Sequence, residues 1–431
     1  MLQPTPALNR GRVVVLAALS VNLVLGALYG WGVFKKALVS DPRWHWSNTD
    51  AALPFTVSTI SFALTMIFAG RAQDKLGPRY VAMLGGFMFG LGLMASSMAH
   101  TPLLMAISFG GIGGIGIGLG YSATTPPSIK WFPPARKGLI TGIVVSGVGL
   151  AAVYNAPLTQ FLLAKTGIPQ TFLILGIGSA ILVALFSQLL ANPPPGYVAC
   201  GAMDSLSAPV KASAVARPDL DWHEMLRTSQ FYRLWFMFVL AASAGLMIIV
   251  HIATIAEEQA GLKWGFLPVA ILALFNTGGR VVSGFLSDRI GRTKTMVLAF
   301  VLQALNMFLF SYYTNPWLLL FASAFTGLCY GTIFTLFPTA TADFYGVRNL
   351  GVNYGFVFSA FGVAGTLGPI LGGWVRDHYG AYGRSFTISA ILLLVGAALA
   401  LTLKAPTPEF ACVGPDGNSA GTGRDSARPP V

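Results

Sequence analysis

Long apolar runs separated by short polar segments dominate this chain. Each run has about 20 residues, enough for a helix to cross the hydrocarbon core of a bilayer. Hydrophobic residues make up 54% of the 431 residues and charged residues only 10%, which leaves little material for a soluble domain. The pattern predicts an all-α membrane protein with twelve transmembrane helices. We number them spans one to twelve, at residues 12–34, 50–70, 80–99, 102–125, 138–162, 168–191, 232–256, 264–286, 295–313, 316–338, 349–375 and 384–404.

Positive charge is distributed unevenly between the two ends of these spans. The net charge of +12 would by itself also suit a nucleic-acid-binding protein. When both termini are placed in the cytoplasm, nineteen of the 27 Lys and Arg residues lie on that side, seven lie on the other, and Arg280 lies within a span. This asymmetry is the one that membrane proteins follow. It predicts a multi-pass protein of a cell inner membrane, surrounded by lipid bilayer, with cytoplasmic N- and C-termini and no nucleic-acid partner.

Cofactor and metal chemistry find no support in the sequence. The three cysteines form no CxxC pair and no histidine cluster accompanies them, so we predict no metal site. The glycine-rich stretch at residues 110–120 lacks the Lys-Ser/Thr of a phosphate-binding loop. Its small residues instead allow close helix approach, and we expect spans four and five to pack and move as a unit. No cofactor is predicted.

The two halves of the chain repeat each other. Three stretches of the first half recur in the same order in the second half, at nearly constant spacing. Such matches indicate two pseudo-symmetric six-helix bundles. The matching pairs are residues 70–79 and 284–292, 118–121 and 327–330, and 142–149 and 355–362.

This repeat sets the predicted domain organisation. Residues 1–191 form the N-terminal bundle, 192–230 a cytoplasmic linker, 231–404 the C-terminal bundle and 405–431 a tail whose composition predicts disorder. Residues 221–235 predict an amphipathic helix that lies along the membrane surface and leads into span seven. The repeated loops after spans two and eight place charged groups outside the spans, where we expect them to act in gating. These predicted gating residues are Asp74, Arg79, Asp288 and Arg292.

The repeated loop, Gly-x-x-x-Asp-(Lys/Arg)-x-Gly, resembles the signature of the major facilitator superfamily, and this resemblance covers the whole chain. Residues 131–142, residues 275–280 and Asn353-Tyr354-Gly355 are similar to motifs of its monocarboxylate transporter and oxalate–formate exchanger branch. The resemblance implies a secondary transporter and not an enzyme, working by alternating access between two bundles. It also implies a small monocarboxylate anion, such as lactate or pyruvate, and a proton as partners.

Arg280 lies in an otherwise apolar run of span eight, and no carboxylate lies deep within any predicted span. A charged side chain at mid-bilayer costs roughly 2.5–3.5 kcal/mol, so it usually marks a functional path. A guanidinium can bind a carboxylate through two parallel hydrogen bonds. We therefore predict that Arg280 binds the anion; the alternative is an arginine that reaches the headgroups from near a helix end. Asn276, one turn earlier on the same face, could bond either the substrate or a neighbouring helix.

Aromatic and apolar residues are predicted to complete the site. The repeat sets Tyr121 of span four opposite Tyr330 of span ten, where each offers a hydroxyl or a flat ring. Met66 and Phe62 occupy the repeat positions of the arginine and the asparagine, so the N-terminal half should form an apolar pole. Core packing is the alternative for all of these residues. The predicted substrate-binding residues are Arg280, Asn276, Tyr121, Tyr330, Leu28, Val145, Phe334 and Phe358.

Selectivity and proton coupling follow from comparison with the family. Oxalate–formate exchangers carry a lysine in span eleven where this chain has Phe361, and a single cation favours a monoanion. Animal monocarboxylate transporters commonly have an aspartate at the position that Asn276 occupies here. The amide of Asn276 does not titrate, so Asn276 cannot carry a proton. His251 is the possible proton site, or it bonds a neighbouring helix. The alternatives are an obligate carboxylate anion exchanger of the oxalate–formate type and, remotely, a carboxylate-sensing membrane receptor.

Overall fold

The computed structural model is helical throughout the described part of the chain, which confirms the all-α prediction. Ten described segments are long and apolar enough to cross a membrane. They account for spans two to twelve, because one segment, Pro134–Ser187, holds both span five and span six. The predicted binding residue Leu28 and the tail at 405–431 lie outside the described residues. The described residues are 6–26, 30–41, 43–44, 46–194, 196–197, 219–262 and 266–404.

Eight of the spans are single helices whose ends follow local signals. Span two begins at a capping box between Ser47 and Asp50, which satisfies the free N–H groups of the first turn. Spans two and eight end in the repeated loops at Gly77 and Gly291, with φ of 87° and 94°, values that favour glycine. Spans two, three, seven, eight, nine, ten, eleven and twelve are Asn48–Leu76, Pro78–Ser96, Ser229–Ala260, Phe266–Ile290, Arg292–Leu309, Pro316–Tyr345, Leu350–Tyr379 and Gly383–Leu401.

Spans five and six form one stretch, Lys137–Ser187, that reverses direction at Gly167. A straight helix of 51 residues would be about 77 Å long, far more than the ~30 Å hydrocarbon core. Gly167 has φ 77° and ψ 179°, a conformation that residues with a Cβ rarely adopt. Span five therefore covers residues 137–166 and span six residues 168–187.

Span one contains two described helices. It consists of Pro6–Leu25 and Trp31–Ser40, on either side of residues 27–29, which are not described. Gly26 lies against the backbone of span five at Val148, and Gly30 lies against the amide of Asn155, so neither has room for a side chain. Glycines placed for close approach also weaken a helix, because they add backbone freedom. Both glycines therefore bring span one close to span five.

The glycine-rich part of span four packs on spans two and three, so the prediction that it packs on span five is wrong. A Cβ at Gly114 or Gly118 would meet span two, and one at Gly116 would meet the backbone of span three at Phe89. Residues Ala106–Gly113 form a π-helical segment that widens the first half of span four. Small residues show that close packing occurs, but sequence does not say which neighbour is approached.

The end of the linker is two helices where a single amphipathic helix was predicted over residues 221–235. Asp221 caps the helix Trp222–Leu226 and shares a capping box with Glu224. Thr228 then caps the start of span seven. Two N-cap residues in close succession start two separate helices, which explains the break between them.

The two halves of the molecule meet along two pseudo-equivalent helix pairs, spans two and eleven and spans five and eight. Gly70 lies against the backbone of Gly351, and Gly138 lies against the backbone of Gly284. These close approaches extend only to about the middle of each span, where Gly149 meets Thr277. We call the end of the bundle that carries the loops after spans two and eight the basic side. The described contacts between the halves close the molecule on the basic side.

Candidate functional site

Arg280 is fully buried near the centre of the bundle, with 0% of its side chain exposed. Its Nε donates to Asn276 Oδ1 at 3.1 Å, and its Nη1 donates to the backbone carbonyl of Val145 at 2.5 Å. The guanidinium carbon lies 4.4 Å from the ring centroid of Phe334. Nη2 makes no hydrogen bond. A guanidinium has five N–H donors, so three remain for a ligand.

This burial decides between the two interpretations of Arg280. An arginine that reaches the headgroups would be partly exposed at a helix end, whereas Arg280 lies ten residues before the end of span eight at Ile290 and is enclosed by protein. Among the described residues, no carboxylate forms an ion pair with it. The site therefore holds a buried positive charge whose remaining N–H donors can bind a ligand.

Val145 contributes its backbone to the site, although it was predicted for its apolar side chain. Its carbonyl accepts from Arg280, and the preceding carbonyl, of Val144, accepts from Asn22 Nδ2 of span one at 2.9 Å. Gly142, one turn earlier, lies against the backbone of Arg280, which brings spans five and eight together. The hydrogen bond between Arg280 and Val145 therefore joins the two halves of the molecule.

Aromatic rings form a continuous wall beside the guanidinium. Centroid distances are 5.7 Å from Tyr121 to Phe358, 5.2 Å from Phe358 to Phe361, 5.6 Å from Phe361 to Phe334 and 5.3 Å from Phe334 to Tyr330. The structure thus brings four of the predicted binding residues together, with Tyr121 supplied by the N-terminal half and the rest by the C-terminal half. The two tyrosines stand at opposite ends of the wall, as the repeat predicts.

Phe62 and Tyr354 border the same wall. Phe62 lies 5.5 Å from Tyr121 and 4.9 Å from Phe358, where the repeat predicts an apolar pole. Tyr354 packs on Phe358 at 5.7 Å and is 3% exposed. The sequence analysis did not select Tyr354 as a binding residue, although its motif with Asn353 and Gly355 was a usable signal. Span eleven therefore supplies more of the site than its sequence had indicated.

Asp288 of the C-terminal half contacts the N-terminal half on the basic side. Its carboxylate accepts backbone hydrogen bonds from Gly138 and Leu139, at 2.9 and 2.8 Å, at the N-terminus of span five. Arg292 pairs with Asp288 at 2.5 Å and with Asp343 at 2.8 Å. A carboxylate at a helix N-terminus is favoured by the unpaired N–H groups and the helix dipole. Asp288 therefore contacts the other half directly, and Arg292 lies beside it within the C-terminal half.

Asp74 occupies the equivalent place in the N-terminal half but makes a weaker contact. Its Oδ2 accepts from the backbone N–H of Val352, at the N-terminus of span eleven, at 3.3 Å. Arg79 is exposed and takes part in none of the described ion pairs, and at the offset that aligns Asp74 with Asp288 the position of Arg292 is taken by Pro78. The charge of Lys130 acts on Asp74. The structure therefore does not bring Arg79 into the contacts that close the basic side.

His251 lies apart from the aromatic wall, between spans seven, eleven and twelve. Its Nε2 is 3.1 Å from the carbonyl of Pro369, and its Nδ1 is 3.2 Å from the hydroxyl of Tyr382. Both ring nitrogens therefore have partners within the C-terminal half. A role in proton transfer stays a prediction.

Comparison with known proteins agrees with the fold and the repeat. A family model described as Major Facilitator Superfamily matches residues 13–305 and 267–412. The chain is 30% identical over 399 residues to the oxalate:formate antiporter of Oxalobacter formigenes, with 91% of each chain covered. It is 27% identical over 403 residues to monocarboxylate transporter 13 of Rattus norvegicus, covering 91% of this chain and 89% of that one.

Solved structures share the architecture at low sequence identity. The proton:xylose symporter XylE matches with a TM-score of 0.71 and 13% identity, over 93% of this chain and 97% of its own. Such a likeness shows the fold alone. Because the family model matches nearly the whole chain and the fold agrees with it, the protein belongs to the major facilitator superfamily and is a secondary membrane transporter, not an enzyme.

Proposed function

We propose that the protein transports small monocarboxylates, such as lactate or pyruvate, together with a proton. The observation that carries this proposal is the buried guanidinium of Arg280, whose Nη2 has no hydrogen-bond partner. Leaving a buried charge unpaired costs several kcal/mol, and a bound carboxylate removes much of that cost. The two relatives reported above are named for oxalate, formate and monocarboxylates, which are all small carboxylates.

A monoanion suits this site better than a dianion. Arg280 is the one charged side chain among the residues that form the wall and its polar partners, and Phe361 occupies the place of the exchangers' second cation. A second carboxylate would meet aromatic rings and would lose its hydration without a compensating charge. The apolar rings of Phe334 and Phe358 suit the short carbon chain of a monocarboxylate instead.

Alternating access gives the bond between Arg280 and Val145 a role in transport. With the basic side in the cytoplasm, as the positive-inside rule predicts, the structure corresponds to a state closed to the cytoplasm. A carboxylate that binds Arg280 competes for the donors that hold Val145 of the other half. Substrate binding therefore weakens a contact between the halves. We also propose the domain boundaries and the cytoplasmic termini predicted from the sequence.

Proton coupling follows from the charge of the substrate. Moving one negative charge into a negative interior costs about 2.3 kcal/mol per 100 mV, and a co-transported proton cancels that charge. The second candidate function is obligate exchange of carboxylate anions. It is favoured by the 30% identity to an antiporter and needs no proton site. Net uptake driven by a proton gradient into empty proteoliposomes supports symport, whereas uptake only into vesicles preloaded with a carboxylate supports exchange.

Replacement of Arg280 tests the central claim. We expect Arg280→Lys to lose transport nearly as completely as Arg280→Ala, because lysine keeps the charge but loses the planar arrangement of donors. Arg289→Lys is the matched control: Arg289 is exposed at the end of span eight and stacks on Phe285. Uptake of labelled lactate is measured in proteoliposomes, with folding checked by the melting temperature. Native uptake by folded Arg280→Ala would show that Arg280 does not bind the substrate.

A further inference from the structure

Tyr354 is a buried phenol one turn from Phe358 on span eleven. Its two chain neighbours have structural contacts: the Asn353 amide donates to the carbonyl of Leu220 at 3.1 Å, and Gly355 lies against the backbone of Met66. Tyr354 itself directs its ring toward Phe358, at 5.7 Å, in an edge-to-face contact. The motif therefore fixes the backbone on both sides of a side chain that reaches the aromatic wall.

The hydroxyl of Tyr354 is buried and makes no hydrogen bond of standard geometry. It lies beside the hydroxyl of Tyr121, and the guanidinium of Arg280 is within electrostatic reach of it. Burying a hydroxyl without a good partner is unfavourable, and phenylalanine would fill the same space without that cost. Packing alone therefore does not explain why the residue is a tyrosine.

Counting protons shows what this pair of hydroxyls can offer. Each phenol has one O–H donor and also accepts. When Tyr121 donates to Tyr354, the proton of Tyr354 stays available for a third oxygen. Tyr121 belongs to the N-terminal half and Tyr354 to the C-terminal half, so the pair joins the two halves.

The oxygen that fits this pair belongs to the substrate. This step rests on the proposed function, in which the carboxylate binds Arg280. The substituent on carbon two is the group adjacent to that carboxylate, and the hydroxyls of Tyr121 and Tyr354 are polar groups at the aromatic wall, with Tyr354 within electrostatic reach of the arginine. We propose that Tyr354, with Tyr121, binds the hydroxyl or keto oxygen of 2-hydroxy and 2-keto acids and so distinguishes them from unsubstituted acids.

The test compares acids that differ only at carbon two. Uptake of labelled lactate is competed with unlabelled lactate, pyruvate and propionate in proteoliposomes of native protein and Tyr354→Phe. We expect Tyr354→Phe to raise the inhibition constants of lactate and pyruvate about five- to twentyfold while leaving that of propionate within about twofold, because only the first two lose a hydrogen bond. Tyr345→Phe is the matched control: its buried hydroxyl bonds Thr228, away from the wall.

Two results would overturn the assignment. Unchanged constants for all three acids would show that Tyr354 only packs, and an equal rise for all three would show that it serves the carboxylate or the fold. Melting temperatures of the variants separate misfolding from a change in binding. The proposed function is tested independently by Arg280→Ala. Normal uptake by that variant would refute the proposed function, whatever the result for Tyr354→Phe.

Discussion

Replacing Asp288 with asparagine should open the basic side of the transporter. Its carboxylate accepts backbone hydrogen bonds from Gly138 and Leu139 at 2.9 and 2.8 Å, and both bonds cross between the halves. The ion pair with Arg292 joins residues of the same half, which move together, so it does not favour either state by itself. The two backbone bonds therefore set the effect of the substitution.

The magnitude follows from these bonds. A hydrogen bond to a charged group contributes about 1.5–3 kcal/mol and a neutral one about 1 kcal/mol. Asparagine keeps one acceptor oxygen without charge, so Asp288→Asn should destabilise the closed state by about 2–5 kcal/mol relative to the open one. Since about 1.4 kcal/mol is tenfold, the ratio of closed to open molecules should fall at least about 30-fold. Asp74→Asn is the control, because its carboxylate makes one hydrogen bond of standard geometry, at 3.3 Å to Val352, beside a weaker approach to the N–H of Gly351, and should change the ratio about tenfold or less.

Distances between spin labels measure this equilibrium directly. Leu76 and Ile290 end spans two and eight at repeat-related positions and are 66% and 40% exposed, so cysteines there accept labels without disturbing the core. The three native cysteines are first replaced by serine. Double electron–electron resonance in proteoliposomes then compares the native protein with Asp288→Asn and Asp74→Asn. An unchanged distance distribution in Asp288→Asn, or a larger opening in Asp74→Asn, would refute the reasoning.

Two further predictions concern selectivity and proton coupling. Phe361→Lys adds a second cation at a position whose native ring lies 5.6 Å from that of Phe334, and we expect oxalate to compete at least about tenfold better relative to lactate than in the native protein. An unchanged ratio in folded protein, with Phe361→Met as control, would contradict this. His251→Gln should keep proton-driven accumulation and lower the melting temperature, because both ring nitrogens of His251 bond Pro369 and Tyr382 within one half. Loss of the response to a proton gradient in folded His251→Gln would instead identify His251 as the proton carrier.

The sequence by itself determined the features that depend on near neighbours along the chain. Hydropathy is a property of each run, so it located the spans. The spacing of four residues between Asn276 and Arg280 put both on one helix face, and the structure shows their hydrogen bond at 3.1 Å. The internal repeat related positions of one half to positions of the other, and Tyr121 and Tyr330, which it pairs, lie at opposite ends of the wall.

Contacts between segments far apart in the chain were decided only by the tertiary structure. The partner of Arg280 in the other half is the carbonyl of Val145, a group that every residue carries and that no residue type reveals. The same holds for Asp288, whose partners are the backbone N–H groups of Gly138 and Leu139. Tyr354 was visible as part of a motif, but its approach to the site depends on how span eleven is rotated about its axis.

The repeated loop shows why identical motifs need not have identical roles. Asp288 and Asp74 hold equivalent positions, yet Asp288 accepts two backbone hydrogen bonds from the other half, whereas Asp74 accepts one of standard geometry, at 3.3 Å. At the same offset Arg292 corresponds to Pro78, which carries no charge, so the ion pair of Arg292 with Asp288 cannot be repeated in the first half. Sequence fixes the charge that each residue brings to an interface. Which charges meet depends on the packing of helices that are distant in the chain, because electrostatic and hydrogen-bond energies fall steeply with distance in space.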